Sequence, residues 1–186
     1  MQNQPSRHFS KDLNTLKRMF TGTEDIISVI EEDHKPLKEL IKIMKDSEKS
    51  LTERRQAFME FAPLLMTHAK SEEKALYEHM KTVAGLKEHA FEGDTEHMVA
   101  DQLCEEIKRT TNEDAMGAKI KVLVEMVEHH IKEEEKDILP DVKKKVGKDK
   151  LVFLTKVYVD VQADIIADGQ DDAPREADLQ KGKLHS

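Results

Sequence analysis

Tryptophan is absent from the chain, tyrosine occurs twice and phenylalanine six times, so aromatics make up only 4% of the 186 residues. Sheet proteins draw their cores from aromatic and β-branched side chains, and this composition argues against a sandwich or barrel. A single cysteine, Cys104, excludes an internal disulfide framework; set in a helical apolar pattern, it is expected to be a small core residue. Neither a Gly-rich phosphate loop nor a Gly-Xaa-Ser-Xaa-Gly elbow occurs among the seven glycines. The opening MQNQPSRHFSKDLN has no apolar signal core, and no apolar run approaches the roughly 20 residues that span a bilayer. The expectation is a cytoplasmic protein without a membrane partner. Thirty basic against 38 acidic residues give a net charge of −8, without the clustered basic excess that nucleic acid requires.

What the sequence does have is charge, 37% of residues, and nine histidines. Its length suits one domain with a real core. After a polar N-terminal extension, residues 1–22, Thr23 reads as the N-cap of a first helix carrying Ile26, Ile27, Ile30, Leu37, Ile41 and Met44 at helical spacing, with Pro36 inside it. Ser50 and Glu53 form a capping-box pattern before a second helix, marked by Phe58, Phe61, Leu65, Ala75 and Leu76 and interrupted by Pro63. Ala90, Ala100, Leu103, Cys104 and Ile107 mark a third helix. Thr110 and Glu113 repeat the capping signature before a fourth, which carries Ile120, Leu123, Val127, Ile131 and Ile138 and ends at Leu139 and Pro140. Four long helices with short connections predict an all-α, up-down-up-down four-helix bundle over residues 23–140. A shorter fifth helix, packed on the outside within 141–167, and a polar disordered tail from 168 to 186 complete the expected organisation.

Each of the four helices carries a histidine near its middle, and the turn of about 100° per residue decides which point inward. With His130 at zero, Leu123, Val127 and Ile131 fall at roughly 20°, 60° and 100°, and Glu134 at about 40°. His130 and Glu134 therefore share the core face, while the adjacent His129 is turned away. By the same construction His68 and Glu72 lie with Phe61, Leu65 and Leu76, His34 with Ile27, Ile30 and Ile41, and His97 with Ala90, Gly93, Ala100 and Cys104. The small residues around His97 are expected to leave room for something larger than a side chain. His8, His79, His89 and His185 read as surface or helix-end residues. Tyr77 could donate a hydrogen bond near the centre, but at about 180° from His68 it is expected instead to pack against another helix.

A His and a Glu four residues apart sit one turn from each other, so the imidazole can hold one metal while the carboxylate reaches a second. The pairs His68/Glu72 and His130/Glu134, with His34 and His97, offer four neutral nitrogen ligands and two anionic oxygen ligands, a set suited to iron first, then manganese and zinc. A metal-free polar layer would bury several ionisable groups at a cost of about several kcal/mol per unpaired charge. Ferritin-like carboxylate proteins use Glu-Xaa2-His on two helices, and Glu31/His34 has that spacing, but the other equivalent is Asp94/His97 and a matching central Glu pair is absent.

The segments EEDHKPLKEL around His34, THAKSEEKALYEHM around His68 and Glu72, GDTEHMVADQL around His97 and VEHHIKEEEKDILP around His130 and Glu134 resemble the haemerythrin-like family, in the branch named for its His and Glu cation-binding signature. The resemblance covers about residues 24–140. It implies a bundle holding two non-haem iron ions bridged by oxo and by the carboxylates of Glu72 and Glu134. Oxygen-carrying haemerythrins have a second His one turn after the third-helix His, where this chain has Asp101. Asp101 lies about 40° from His97 and is a candidate additional ligand. The resemblance implies a small-molecule ligand: oxygen, peroxide or nitric oxide. It leaves three classes open: a module that senses, stores or carries oxygen or iron; a redox enzyme, peroxide-decomposing or resembling the iron-sulfur repair branch; and a bundle stapled by its metal. Oligomeric state does not follow from any of them.

Overall fold

A computed structural model describes residues 24–171, and its regular elements are all helical. Helix α1 spans Ile26–Lys45, α2 Leu51–Glu72, α3 Lys87–Arg109, α4 Glu113–Glu133 and α5 Lys148–Asp171. Helix α2 runs on through a π-helical turn, Glu73–Tyr77, into a last α-helical turn, Glu78–Met80; α4 runs on through a second π turn, Glu134–Ile138, into Leu139–Lys145. The expected N-terminal extension, 1–22, and most of the expected tail lie outside the described residues, as do His8 and His185.

Caps set several of these boundaries. The predicted capping box opens α2: Glu53 N–H donates to the Ser50 hydroxyl and Ser50 N–H donates to the Glu53 carboxylate. Thr23 lies outside the described residues, and Asp25 caps α1 by accepting from Ser28 N–H at 3.1 Å. Thr110 does not cap α4. It ends α3 instead, its hydroxyl donating to the Glu106 carbonyl, and Asn112 caps α4 by accepting from Ala115 N–H. Asn and Thr are both good N-caps, so the side chain nearest the true first turn takes the role.

Pro140 was the expected end of α4, yet the helix continues past it. In the π turn before it, Leu139 N–H reaches back five residues to the Glu134 carbonyl. The added residue lets the chain pass a proline, which has no N–H to give, inside the first turn of the next segment.

The apolar core is divided in two. One cluster includes Leu37, Ile41, Phe58, Phe61, Leu65, Cys104, Ile120, Leu123 and Val127. The other includes Ile26, Ile30, Leu76, Tyr77, Met80, Ala90, Ile138, Leu139, Leu151, Leu154 and Tyr158. Where one cluster gives way to the other along α1 to α4 and their continuations stand buried ionisable residues: His34, His68 with Glu72, His97, and, flanking Ile131, His130 with Glu134. Cys104 is a core residue as expected, its thiol pushed up to about 12 by burial.

Helix α5 departs from expectation. At 24 residues it is longer than α1, runs from Lys148 past 168 to Asp171, and packs on α1, α2 and the first π turn. It contributes Leu151, Leu154 and Tyr158 to the second cluster and nothing to the first, so it closes one end of the molecule. No helix among the described residues is long and apolar enough to cross a membrane.

Candidate metal centre

The four inward histidines and two glutamates meet in the layer between the clusters. His34 and Glu72 and Glu134 are fully buried, and His68, His97 and His130 nearly so. Their ligand atoms fall into two groups, His34 with His68 and Glu134, and His97 with His130 and Glu72, each with its atoms within 4.8 Å of one another. Each carboxylate also reaches the opposite group. Glu134 Oε2 is 3.3 Å from His34 Nε2 and 3.8 Å from His130 Nε2, while Glu72 Oε2 is 3.4 Å from His68 Nε2 and 3.7 Å from His97 Nε2.

All four imidazoles present Nε2 to the centre and Nδ1 to an outer partner. His34 Nδ1 donates to Glu135 at 2.9 Å and His130 Nδ1 to Glu96 at 2.5 Å. His97 Nδ1 lies 3.3 Å from Glu73. His68 is backed by Tyr158 of α5, Nδ1 to Oη at 3.0 Å. The Tyr158 hydroxyl gives its one proton to Asp33 at 2.7 Å, so the imidazole donates and the phenol accepts. With Nδ1 protonated, Nε2 of His34, His68 and His130 carries a lone pair aimed inward. Such outer bonds fix the tautomer and raise the basicity of a metal-binding imidazole.

The electrostatics without a cation are unfavourable. Burial and the neighbouring Glu134 raise the Glu72 carboxyl well above its ordinary value. Glu134 is held low: burial opposes this, but the neighbouring His34 and then His130 outweigh it. Burial, then the proximity of His34, depresses His68 strongly. His130 is raised, because Glu96 and Glu134 overcome the cost of burial. Nε2 of His34 and His68, both oxygens of Glu72 and Oε2 of Glu134 are buried with no hydrogen-bond partner. His97 Nε2 and His130 Nε2 face each other at 3.2 Å. Five buried polar atoms left unpaired in one layer are rare, and Oε2 of each carboxylate stands within 3.4 Å of a bare imidazole nitrogen. Cations between them would satisfy every one, so nitrogen and oxygen donors of this kind fit metal ions well.

His129 is 72% exposed and pairs with Glu133, on the side away from the layer. His79 and His89 are half-buried and belong to neither group. Asp101 is half-buried and also belongs to neither.

Two expectations about the surroundings are corrected. Tyr77 packs against another helix, stacking on the His97 ring at 5.4 Å, but it does not stay off the layer: it is completely buried and donates from Oη to Glu134 Oε1 at 3.1 Å. The wheel fails because the π turn inserts one residue after Glu72, moving later side chains back by about 100°. Nor do the small residues beside His97 all leave open space. A Cβ on Gly93 would stand 2.5 Å from the Tyr77 ring, so the room at Gly93 is filled by Tyr77. Tyr158, Asp33, Glu96, Glu73 and Glu135 were not singled out from sequence. Glu73 and Glu135 had one available signal, since each directly follows a layer glutamate.

Comparison with curated proteins and with solved structures returns no match. The family model for the hemerythrin HHE cation binding domain matches residues 25–142, more than half of the chain, and the match contains all six residues of the buried layer. The chain belongs to the hemerythrin HHE cation-binding domain family.

Proposed function

We propose that the chain is a cytoplasmic non-haem di-iron protein whose centre binds or reacts with oxygen, peroxide or nitric oxide, with His34, His68, His97 and His130 as nitrogen ligands and Glu72 and Glu134 as bridging carboxylates. The observation that carries this reading is the convergence of four Nε2 atoms and two carboxylates into two groups, each carboxylate within 4 Å of imidazoles from both. Two separate groups of two nitrogens and one oxygen suit two ions, each with positions left open. The unit doing this is an up-down-up-down arrangement of α1 to α4, residues 23–140, with α5 appended.

Iron in such a site supplies redox chemistry and open coordination positions for a small ligand. The chain's own residues supply the setting. The outer bonds from Glu135, Tyr158 and Glu96 hold three imidazoles by Nδ1. The apolar clusters keep water from both sides, and Tyr77 holds a proton on Oη, 3.1 Å from Glu134. A hydroxyl proton this close to the layer is a candidate acid for peroxide turnover, and it supports turnover over reversible release of oxygen. Asp101 is left out of the ligand set, since it stands in neither group.

Metal analysis of the purified chain with absorption spectra before and after peroxide tests the reading. We expect two irons per chain, ferric in air, with a spectrum that changes on addition of peroxide. A well-loaded protein with one metal or none overturns the dinuclear centre, and two zinc ions without an iron spectrum establish a metal staple. A long-lived oxygen adduct that dissociates intact at low oxygen pressure overturns turnover in favour of oxygen carriage.

A further inference from the structure

Helix α5, Lys148–Asp171, lies beyond the segment matched by the family model, yet it touches the centre. Its Tyr158 is fully buried, accepts from His68 Nδ1 at 3.0 Å and donates to Asp33 Oδ2 at 2.7 Å. One turn further along α5, buried Gln162 donates to the same Asp33 oxygen at 2.5 Å. Asp33 immediately precedes His34. The network therefore joins α5 to α1 and ends on the imidazole of α2. Of the three imidazoles that donate from Nδ1, only His68 leans on a neutral phenol; His34 and His130 lean on carboxylates, and His97 has Glu73 beside it.

Resting on the reading of the buried layer as a metal centre, we infer that Tyr158, fixed by Asp33 and Gln162, is a positioning residue for His68 that makes retention of the metal in the His34/His68/Glu134 group depend on α5. The physical cause is direct. An outer hydrogen bond aims the imidazole and fixes which nitrogen is bare; without it His68 can rotate or take the other tautomer. Removing such a partner typically costs about 10–100-fold in metal affinity. The other group has its outer partners in the first π turn and on α3, Glu73 and Glu96, so neither of those contacts is to a side chain of α5.

The test compares the full chain with Tyr158→Phe, which keeps the ring and removes the hydroxyl. Thr155→Val serves as a control: Thr155 is also a buried α5 residue, but its hydroxyl bonds the Glu24 and Leu151 carbonyls, away from the layer. Each protein is loaded anaerobically with ferrous iron, and release to a chromophoric chelator is followed. In Tyr158→Phe one equivalent should leave about tenfold faster while the second leaves at the wild-type rate. Thr155→Val should release both as wild type does. The cobalt(II) visible spectrum of Tyr158→Phe should change by the share belonging to one ion. Asp33→Asn, which keeps an acceptor for Tyr158 but removes the charge, should speed the same equivalent by a smaller factor and stands in if Tyr158→Phe does not fold. Wild-type release of both equivalents in the folded variants overturns the inference, as does equal acceleration of both in Tyr158→Phe and Thr155→Val, which would be plain destabilisation. A wild-type chain that takes up no metal overturns the underlying reading and this inference with it, a result distinct from normal loading with unaltered release.

Discussion

In both halves of the buried layer, a histidine from a helix without an inward carboxylate meets a histidine one turn before a glutamate, and the glutamate opens or directly precedes a π turn. Glu73 follows Glu72 and lies beside His97; Glu135 follows Glu134 and accepts from His34. The likeness stops five residues after each layer glutamate. There α2 has Tyr77, whose hydroxyl donates across to Glu134, and α4 has the apolar Leu139. Glu134 receives that donor and is held as an anion by His34 and His130 beside it, whereas Glu72 is pushed toward its protonated form by burial and by Glu134 itself. Two carboxylates in similar places carry unequal charge because one is held by the imidazoles beside it and its charge then weighs on the other.

The largest effects should come from removing what the halves share. Because each carboxylate lies near imidazoles of both groups, Glu72→Ala or Glu134→Ala should cost both metals, while His34→Ala should leave one; metal analysis after gel filtration decides it. A Glu72→Ala protein that keeps one full equivalent would break the picture of shared carboxylates. On α4, His130→Ala should lower metal content strongly and His129→Ala should leave it nearly intact, and equal losses would contradict the face assignment.

The charge inequality makes a subtler prediction for the metal-free protein. Glu72 binds its proton more tightly folded than unfolded, so its carboxyl takes stability away as pH rises from about 4.5, the ordinary value, through the raised folded value. Glu72→Gln should therefore stabilise the metal-free chain by about 1–3 kcal/mol at neutral pH, with the gain shrinking toward pH 4.5. Glu134 runs the other way. Its lowered carboxyl contributes stability above the ordinary value, lost as pH falls, so Glu134→Gln should destabilise the same protein at neutral pH. Urea unfolding at several pH values measures both, and shifts of the same sign would refute the contrast.

Smaller effects separate the crowded side of the layer from the rest of the molecule. Gly93→Ala drives a methyl into the Tyr77 ring and should cost about 1–3 kcal/mol. Gly117→Ala, also within a helix, meets nothing closer than 3.5 Å and should stabilise by about 0.5–1 kcal/mol. Thermal unfolding of the two variants gives the comparison.

The inward histidines and glutamates were legible because α-helical periodicity holds from each helix start to the layer. His130 and His129 were told apart by angle alone. The periodicity fails just past the layer, where the π turns add a residue that sequence does not announce, and Tyr77 was misplaced for that reason. The outer partners were illegible for another reason: Glu96 and Tyr158 meet histidines from other helices and Asp33 meets Tyr158 across helices, which no spacing within one helix reveals. Helix α5 was expected only as a shorter outer helix, and no spacing within it singles out Tyr158.

The π turns also set a limit on how the chain can vary in length. A deletion of one residue within 73–77 would let α2 close to ordinary α pitch, giving a helix with better hydrogen bonds of its own. Everything beyond the deletion would then swing by about 100°, carrying the tyrosine ring off His97 and away from Glu134. Such a variant would be the sounder helix and the poorer site, so a shortened chain that gains thermal stability while losing the Tyr77 contact is the trade this fold has declined.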